Sequence, residues 1–135
     1  LYSELIPKEL GFYKDPYSDF GRLSMELLRA GRLVVDVGIH DKKWTRQQAI
    51  DYFMKNTPNS EIDCRREIER YIVMPGQATA YKIGMIKILD LREKAKKELG
   101  AKFKIKEFHE EVLKYGALPL KMLEENIDLW IKSKA

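Results

Sequence analysis

The chain has 135 residues, 25 Lys or Arg against 21 Asp or Glu, a net charge of +4 and 44% hydrophobic residues. That is the make-up of an ordinary globular domain long enough to bury a core. No run approaches the roughly 20 apolar residues that would span a bilayer. Basic residues cluster only at Lys94, Lys96, Lys97, Lys102, Lys104 and Lys106, with no aromatic platform among them, so nucleic acid is not an expected partner.

The first apolar residues, Leu1, Tyr2, Leu5, Ile6 and Leu10, have helical spacing and meet a stop at Gly11, although Pro7 works against an unbroken helix. No Ser, Thr, Asp or Asn precedes them to satisfy the unpaired N–H groups of a helix start. This predicts missing upstream sequence, so that residues 1–135 form a single helical domain cut from a larger chain. Ser18 or Asp19 is the expected cap of a long second helix, with Phe20, Leu23, Leu27, Ala30 and Val34 on one face and an end near Gly38.

His40 then falls in a connection before Trp44. Thr45 with Gln48 forms a capping box that starts a helix to about Lys55, and Ser60 with Asp63 caps the next, to about Val73. Pro75 and Gly76 interrupt the pattern. From Gln77 to Leu99 the spacing predicts the central, most buried helix, with Ala78, Tyr81, Met85, Ile88 and Leu89 on one side. Two further helices follow, Lys104 to Tyr115 and one opened by Pro119 that carries Leu120, Leu123, Ile127, Trp130 and Ile131. Nothing reads as a strand, so the expected fold is all-α, about six helices in an irregular bundle.

Chemistry-bearing residues are few. A metallopeptidase helix needs two His at i and i+4 on one zinc, with a Glu between them as base. His109-Glu110 begins that way, but Leu113 stands where the second His would be. Cys64 is the only cysteine, which excludes an intrachain disulfide and a cysteine-based zinc site. His40 is either structural or, beside the permissive Gly38, a donor or proton shuttle at a cleft.

The stretch from Arg65 to Gly84, RREIERYIVMPGQATAYKIG, holds the densest polar chemistry. Gln77 and Tyr81 lie one helical turn apart, with Lys82 on the next face. A Tyr or Gln facing a cleft stabilises negative charge developing on a carbonyl, whereas a core Tyr only satisfies a backbone carbonyl. The sequence leaves these two readings open. Arg29 and Arg32 read as surface or interdomain ion-pair residues.

Several strings together carry a resemblance: the opening LYSE, DPYSDFGRLSMELLRAGRLVVDVGIH, KKWTRQQAIDYF, EIERYIVMPGQATAYKIG and FHEEVLKYGALPL. In this order they resemble the C-terminal part of the bacterial family called domain of unknown function 885, over nearly the whole chain. Val37 and Met74 stand where that family usually has Thr and often Trp. The family in turn resembles helical HExxH zinc metallopeptidases, and its members carry a segment like EGWALYSE whose first Glu is the third metal ligand. The resemblance therefore implies a hydrolase whose metal site, with Zn2+, lies upstream of Leu1, and no metal held by this chain itself.

On that implication Tyr81 and His40 are the catalytic candidates, placed on the oxyanion. Arg70, Tyr71, Gln77 and Lys82 are the candidates for substrate binding. The implied partners are the rest of the same polypeptide and a peptide substrate, and apolar surface left bare would promote self-association. A bacterial setting is implied, cytoplasmic or as an exported lipoprotein. The alternative is a non-catalytic helical interaction or assembly module of peptidase ancestry.

Overall fold

The computed structural model describes residues 1–134. Among them are seven α-helices, two short 3-10 turns (Tyr2–Glu4 and Gly100–Lys102) and no strand, as the periodicity predicts. The helices are α1 (Leu5–Glu9), α2 (Pro16–His40), α3 (Arg46–Asn56), α4 (Glu61–Val73), α5 (Ala80–Leu99), α6 (Ile105–Leu113) and α7 (Leu120–Lys134). None is long and apolar enough to cross a membrane. The chain folds as two compact units, Leu1–Ile83 and Gly84–Ala135.

Local signals set most boundaries of the first unit. The Thr45 hydroxyl accepts from the Gln48 N–H, and the Gln48 side chain accepts from the Thr45 N–H at 2.8 Å, completing the capping box of α3. The Ser60 hydroxyl accepts from the Asp63 N–H at the start of α4. Helix α2, however, is capped by Asp15, which accepts from the Ser18 N–H at 2.9 Å. Pro16 stands at the first helical position, where its fixed φ and missing N–H are no loss. The same helix runs past Gly38, so His40 is its last residue rather than part of the connection.

The core of this unit joins Val35 from α2, Ala49, Ile50 and Phe53 from α3, Cys64, Ile68 and Tyr71 from α4, and Ala78. The face of α2 expected to point inward points out: Phe20 is 65% exposed, and Leu23, Leu27 and Val34 are exposed as well. What faces α3 is a stripe of small residues. A Cβ on Gly31 would stand 2.9 Å from the Phe53 ring, and one on Gly38 would stand 2.5 Å from the Trp44 indole. Close approach of the backbone, rather than the bulkiest side chains, chooses the buried side.

Helix α5 is likewise not the most buried. Gly76 adopts φ +80° and a turn carries Gln77 to Thr79 before the helix begins at Ala80, and Tyr81, Ile83 and Ile86 are all exposed. In the second unit, Leu91, Ala95 and Leu99 of α5 pack with Phe108 of α6 and Leu123, Ile127 and Ile131 of α7. Leu123, Ile127 and Ile131 match the inward spacing expected of the last helix, whereas Leu113 of α6, also expected inward, is 73% exposed.

Candidate functional site

The first unit gathers arginines and tyrosines where α2, α4 and the turn before α5 meet. Arg32, on α2, is 4% exposed. Its Nη2 donates to the Gln77 side-chain oxygen at 3.0 Å. Its guanidinium carbon lies 4.7 Å from the Tyr81 ring centre and 5.3 Å from that of Tyr71. One buried cation is thus held between two aromatic faces, an arrangement that gains strength as water is removed. Arg29, one turn earlier, covers the Tyr81 ring at 5.5 Å.

Tyr71 is fully buried, and its hydroxyl donates to Glu67. Arg70 donates to the same carboxylate oxygen at 2.7 Å and lies 5.4 Å from the Tyr71 ring centre. Burial pushes the Tyr71 phenol well above its ordinary pKa, and the Glu67 carboxylate adds to the shift by holding the proton. Burial also pushes the Glu67 carboxyl up, but the bonds from Tyr71 and Arg70 outweigh it and leave that group below the usual range.

The turn that presents Gln77 is pinned from below. Asp36, buried on α2, accepts from the Gly76 N–H with both carboxylate oxygens at 3.1 Å. Thr79 closes the turn by donating its hydroxyl to the Gly76 carbonyl at 2.8 Å. Gln77 then reaches both Arg32 and, through its amide nitrogen at 3.4 Å, the Tyr81 hydroxyl. Tyr81 itself is 44% exposed.

Of the residues singled out from sequence, Tyr81, Gln77, Tyr71 and Arg70 are brought together, and the link between them is Arg32. Its burial corrects the expectation that Arg32 lies at the surface: the guanidinium fills the space between two aromatic rings that α4 and α5 supply. His40 joins the group only through the backbone, its Nε2 bonding the Tyr71 carbonyl at 2.9 Å. A carbonyl only accepts, so Nε2 carries the proton, and Nδ1 of the neutral ring is an acceptor. Lys82 turns to Glu26 at 2.7 Å, and Glu26 is also met by Arg22 at 3.2 Å. Arg32, Asp36 and Glu67 are the members that sequence reasoning missed. The available signal was a charged pair, Arg32 and Asp36, spaced i,i+4 in the otherwise apolar run RLVVDV.

Among the described residues no group of three or more His, Cys, Asp or Glu side chains is placed to hold a metal ion. The Cys64 thiol is buried, and burial pushes its pKa up, away from reactivity.

Fold and site define a class: a helical bundle protein whose buried arginine is clamped between two tyrosines beside an exposed phenol. The model of a family described as "Bacterial protein of unknown function (DUF885)" matches residues 1–127, and the chain belongs to that family. A solved structure described as "The crystal structure of the putative lipoprotein from Colwellia psychrerythraea" is 54% identical, with a TM-score of 0.96 over 98% of this chain. The match covers 23% of that protein's chain, so this chain spans under a quarter of its length. No curated protein matches.

Proposed function

We propose that the chain supplies the substrate-facing wall of a zinc-dependent peptidase, with the Tyr81 hydroxyl as the group that donates to the oxyanion of the scissile carbonyl. The observation that carries this is Tyr81 itself: a half-exposed phenol with Arg29 and Arg32 on its ring and Gln77 at its hydroxyl. Two cations beside the ring favour negative charge developing on a bound carbonyl, and a donor fixed in advance costs no reorganisation when that charge appears. Gln77, Tyr71 and Arg70 hold the donor and its cations in place. Lys82 anchors the start of α5 to Glu26 on α2, and His40 ties the end of α2 to α4.

Among the described residues no cluster fits a metal, so this reading assigns the zinc to other parts of the protein. That the activity is hydrolytic rests on the family's likeness to HExxH peptidases. The exposed stripe of Phe20, Leu23 and Leu27 supports a part in assembly as well. In a protein as long as the one solved from Colwellia psychrerythraea, such a stripe would pack against further polypeptide of the same chain.

The test is peptide hydrolysis by the full-length protein and its Tyr81→Phe and His40→Ala variants. Tyr81→Phe is expected to lower kcat about 10²- to 10³-fold with little change in KM, the signature of a donor used only in the transition state. Unchanged hydrolysis in Tyr81→Phe would end the oxyanion reading, and a loss confined to His40→Ala would point to the support of α4 instead. Absence of any hydrolysis by the wild type would favour the assembly reading instead.

A further inference from the structure

The groove between α2 and α4 in the first unit, about 390 Å³, is lined by Arg29, Arg32 and Arg70 over an apolar floor of Met25 and Leu28. All three arginines keep a buried Nε with no hydrogen-bond partner. Buried guanidinium N–H groups left unsatisfied are costly, and each Nε is the inner prong of the fork that grips a carboxylate. The two carboxylates on the groove wall do not settle the balance. Glu67 is engaged by Arg70 and Tyr71, and Asp63 accepts from the Ser60 hydroxyl at 2.6 Å. Arg29 and Arg32 form no ion pair with any described carboxylate, and Arg32 is more than nine-tenths buried. Three cations meeting two spoken-for anions leave a net positive cleft, with unpartnered guanidinium nitrogens buried in its wall.

From this we infer that the groove is a subsite for the terminal carboxylate of a peptide whose last side chain is apolar. The carboxylate bonds the guanidinium groups of Arg29 and Arg32, the latter through the nitrogen that does not serve Gln77, Arg70 closes the third side, and the side chain lies on Met25 and Leu28. Because Arg29 and Arg32 also flank Tyr81, the carboxylate sits about one or two residue lengths from the oxyanion donor, at about 3.5 Å per residue. Cleavage would then release short C-terminal pieces. This placement of the cleaved bond rests on the peptidase reading; the carboxylate site does not.

The experiment is calorimetric titration of the full-length protein with 4-methylpentanoate, with 4-methylpentanamide and with inorganic phosphate, none of which has a bond to hydrolyse. The acid is expected to bind, the amide at least about tenfold more weakly, and Arg29→Gln to weaken the acid about tenfold. Arg32→Lys keeps the charge and removes the fork, and is expected to weaken binding by as much or more. If Arg32→Lys does not fold, Arg29→Gln, on a less buried position, carries the test. The inference is overturned if the acid fails to bind, if acid and amide bind equally, if Arg29→Gln changes nothing, or if phosphate binds more tightly than the acid. Arginine-dependent binding without peptide hydrolysis leaves the site standing and removes the peptidase reading. Hydrolysis without such binding does the reverse.

Discussion

Replacing Gly38 with alanine tests whether the closeness of α2 to Trp44 organises the first unit. An ideal Cβ there would lie 2.5 and 2.6 Å from two atoms of the indole, well inside van der Waals contact. The indole cannot swing clear cheaply. The Trp44 backbone N–H donates to the Gly38 carbonyl at 2.9 Å, which fixes the residue beside α2, and the ring packs on Tyr52 with centres 5.4 Å apart. Forcing a methyl into such a contact costs about 1–3 kcal/mol, against a gain of about 0.8–1.0 kcal/mol from alanine's helix propensity. The net expectation is a loss of between about zero and 2 kcal/mol. Gly21 and Gly84 are internal controls, helical positions where a Cβ would meet nothing within 4 Å. There alanine is expected to stabilise by about 0.5–1 kcal/mol. Urea unfolding of the three variants reads both signs at once. If Gly38→Ala stabilised the protein as much as Gly21→Ala, the close-approach argument for the buried face of α2 would be wrong.

Three further substitutions probe the site's supports. Asp36→Ala leaves the Gly76 N–H without its acceptor and is expected to cost about 1–3 kcal/mol, with faster amide exchange at Gly76 and Gln77 by NMR as the specific sign. The Lys82 ammonium beside Glu26, with Arg22 behind it, holds that carboxyl below its usual range. Lys82→Gln should therefore cost about 0.2–1 kcal/mol at pH 7, and the gap should close as pH falls from 4.5 through the lowered value, since a depressed carboxyl stabilises only while ionised. Tyr71→Phe removes the proton donated to Glu67 and is expected to cost about 1.5–3 kcal/mol at neutral pH. Because the native phenol titrates above its unfolded value, that contribution is complete below pH 10.0 and fades only at higher pH. Unfolding curves from pH 7 to 11 that showed the difference vanishing before pH 10 would contradict the assignment.

What could be read from the sequence divides along physical lines. Signals confined to a few neighbouring residues were legible: the Thr45–Gln48 box, the Ser60 cap and the i,i+4 pairing of Gln77 with Tyr81 all depend on local geometry that spacing alone prescribes. The start of α2 lies three or four residues before the expected cap because Asp15 looks like part of a loop until Pro16 is recognised as the first helical residue. Which face of α2 is buried was not legible, because Phe20, Leu23 and Leu27 advertise a core that the backbone does not use. The seam forms at Gly31, Val35 and Gly38, where α3 and Trp44 come closest, and that choice is made by the packing partner.

The centre of the candidate site was hidden for the same reason. Arg32 and Gln77 are 45 positions apart, and a charged residue in an apolar helical run reads as surface unless something folds over it. Tyr71 and Tyr81, arriving from α4 and α5, are what cover it, and Asp36 fixes the turn that lets them arrive. The site is therefore a property of where α2 is left bare by its own small residues. The same packing that exposes the large apolar side chains turns Arg32 and Asp36 inward, where two aromatic rings and a glycine turn make a buried charge tolerable.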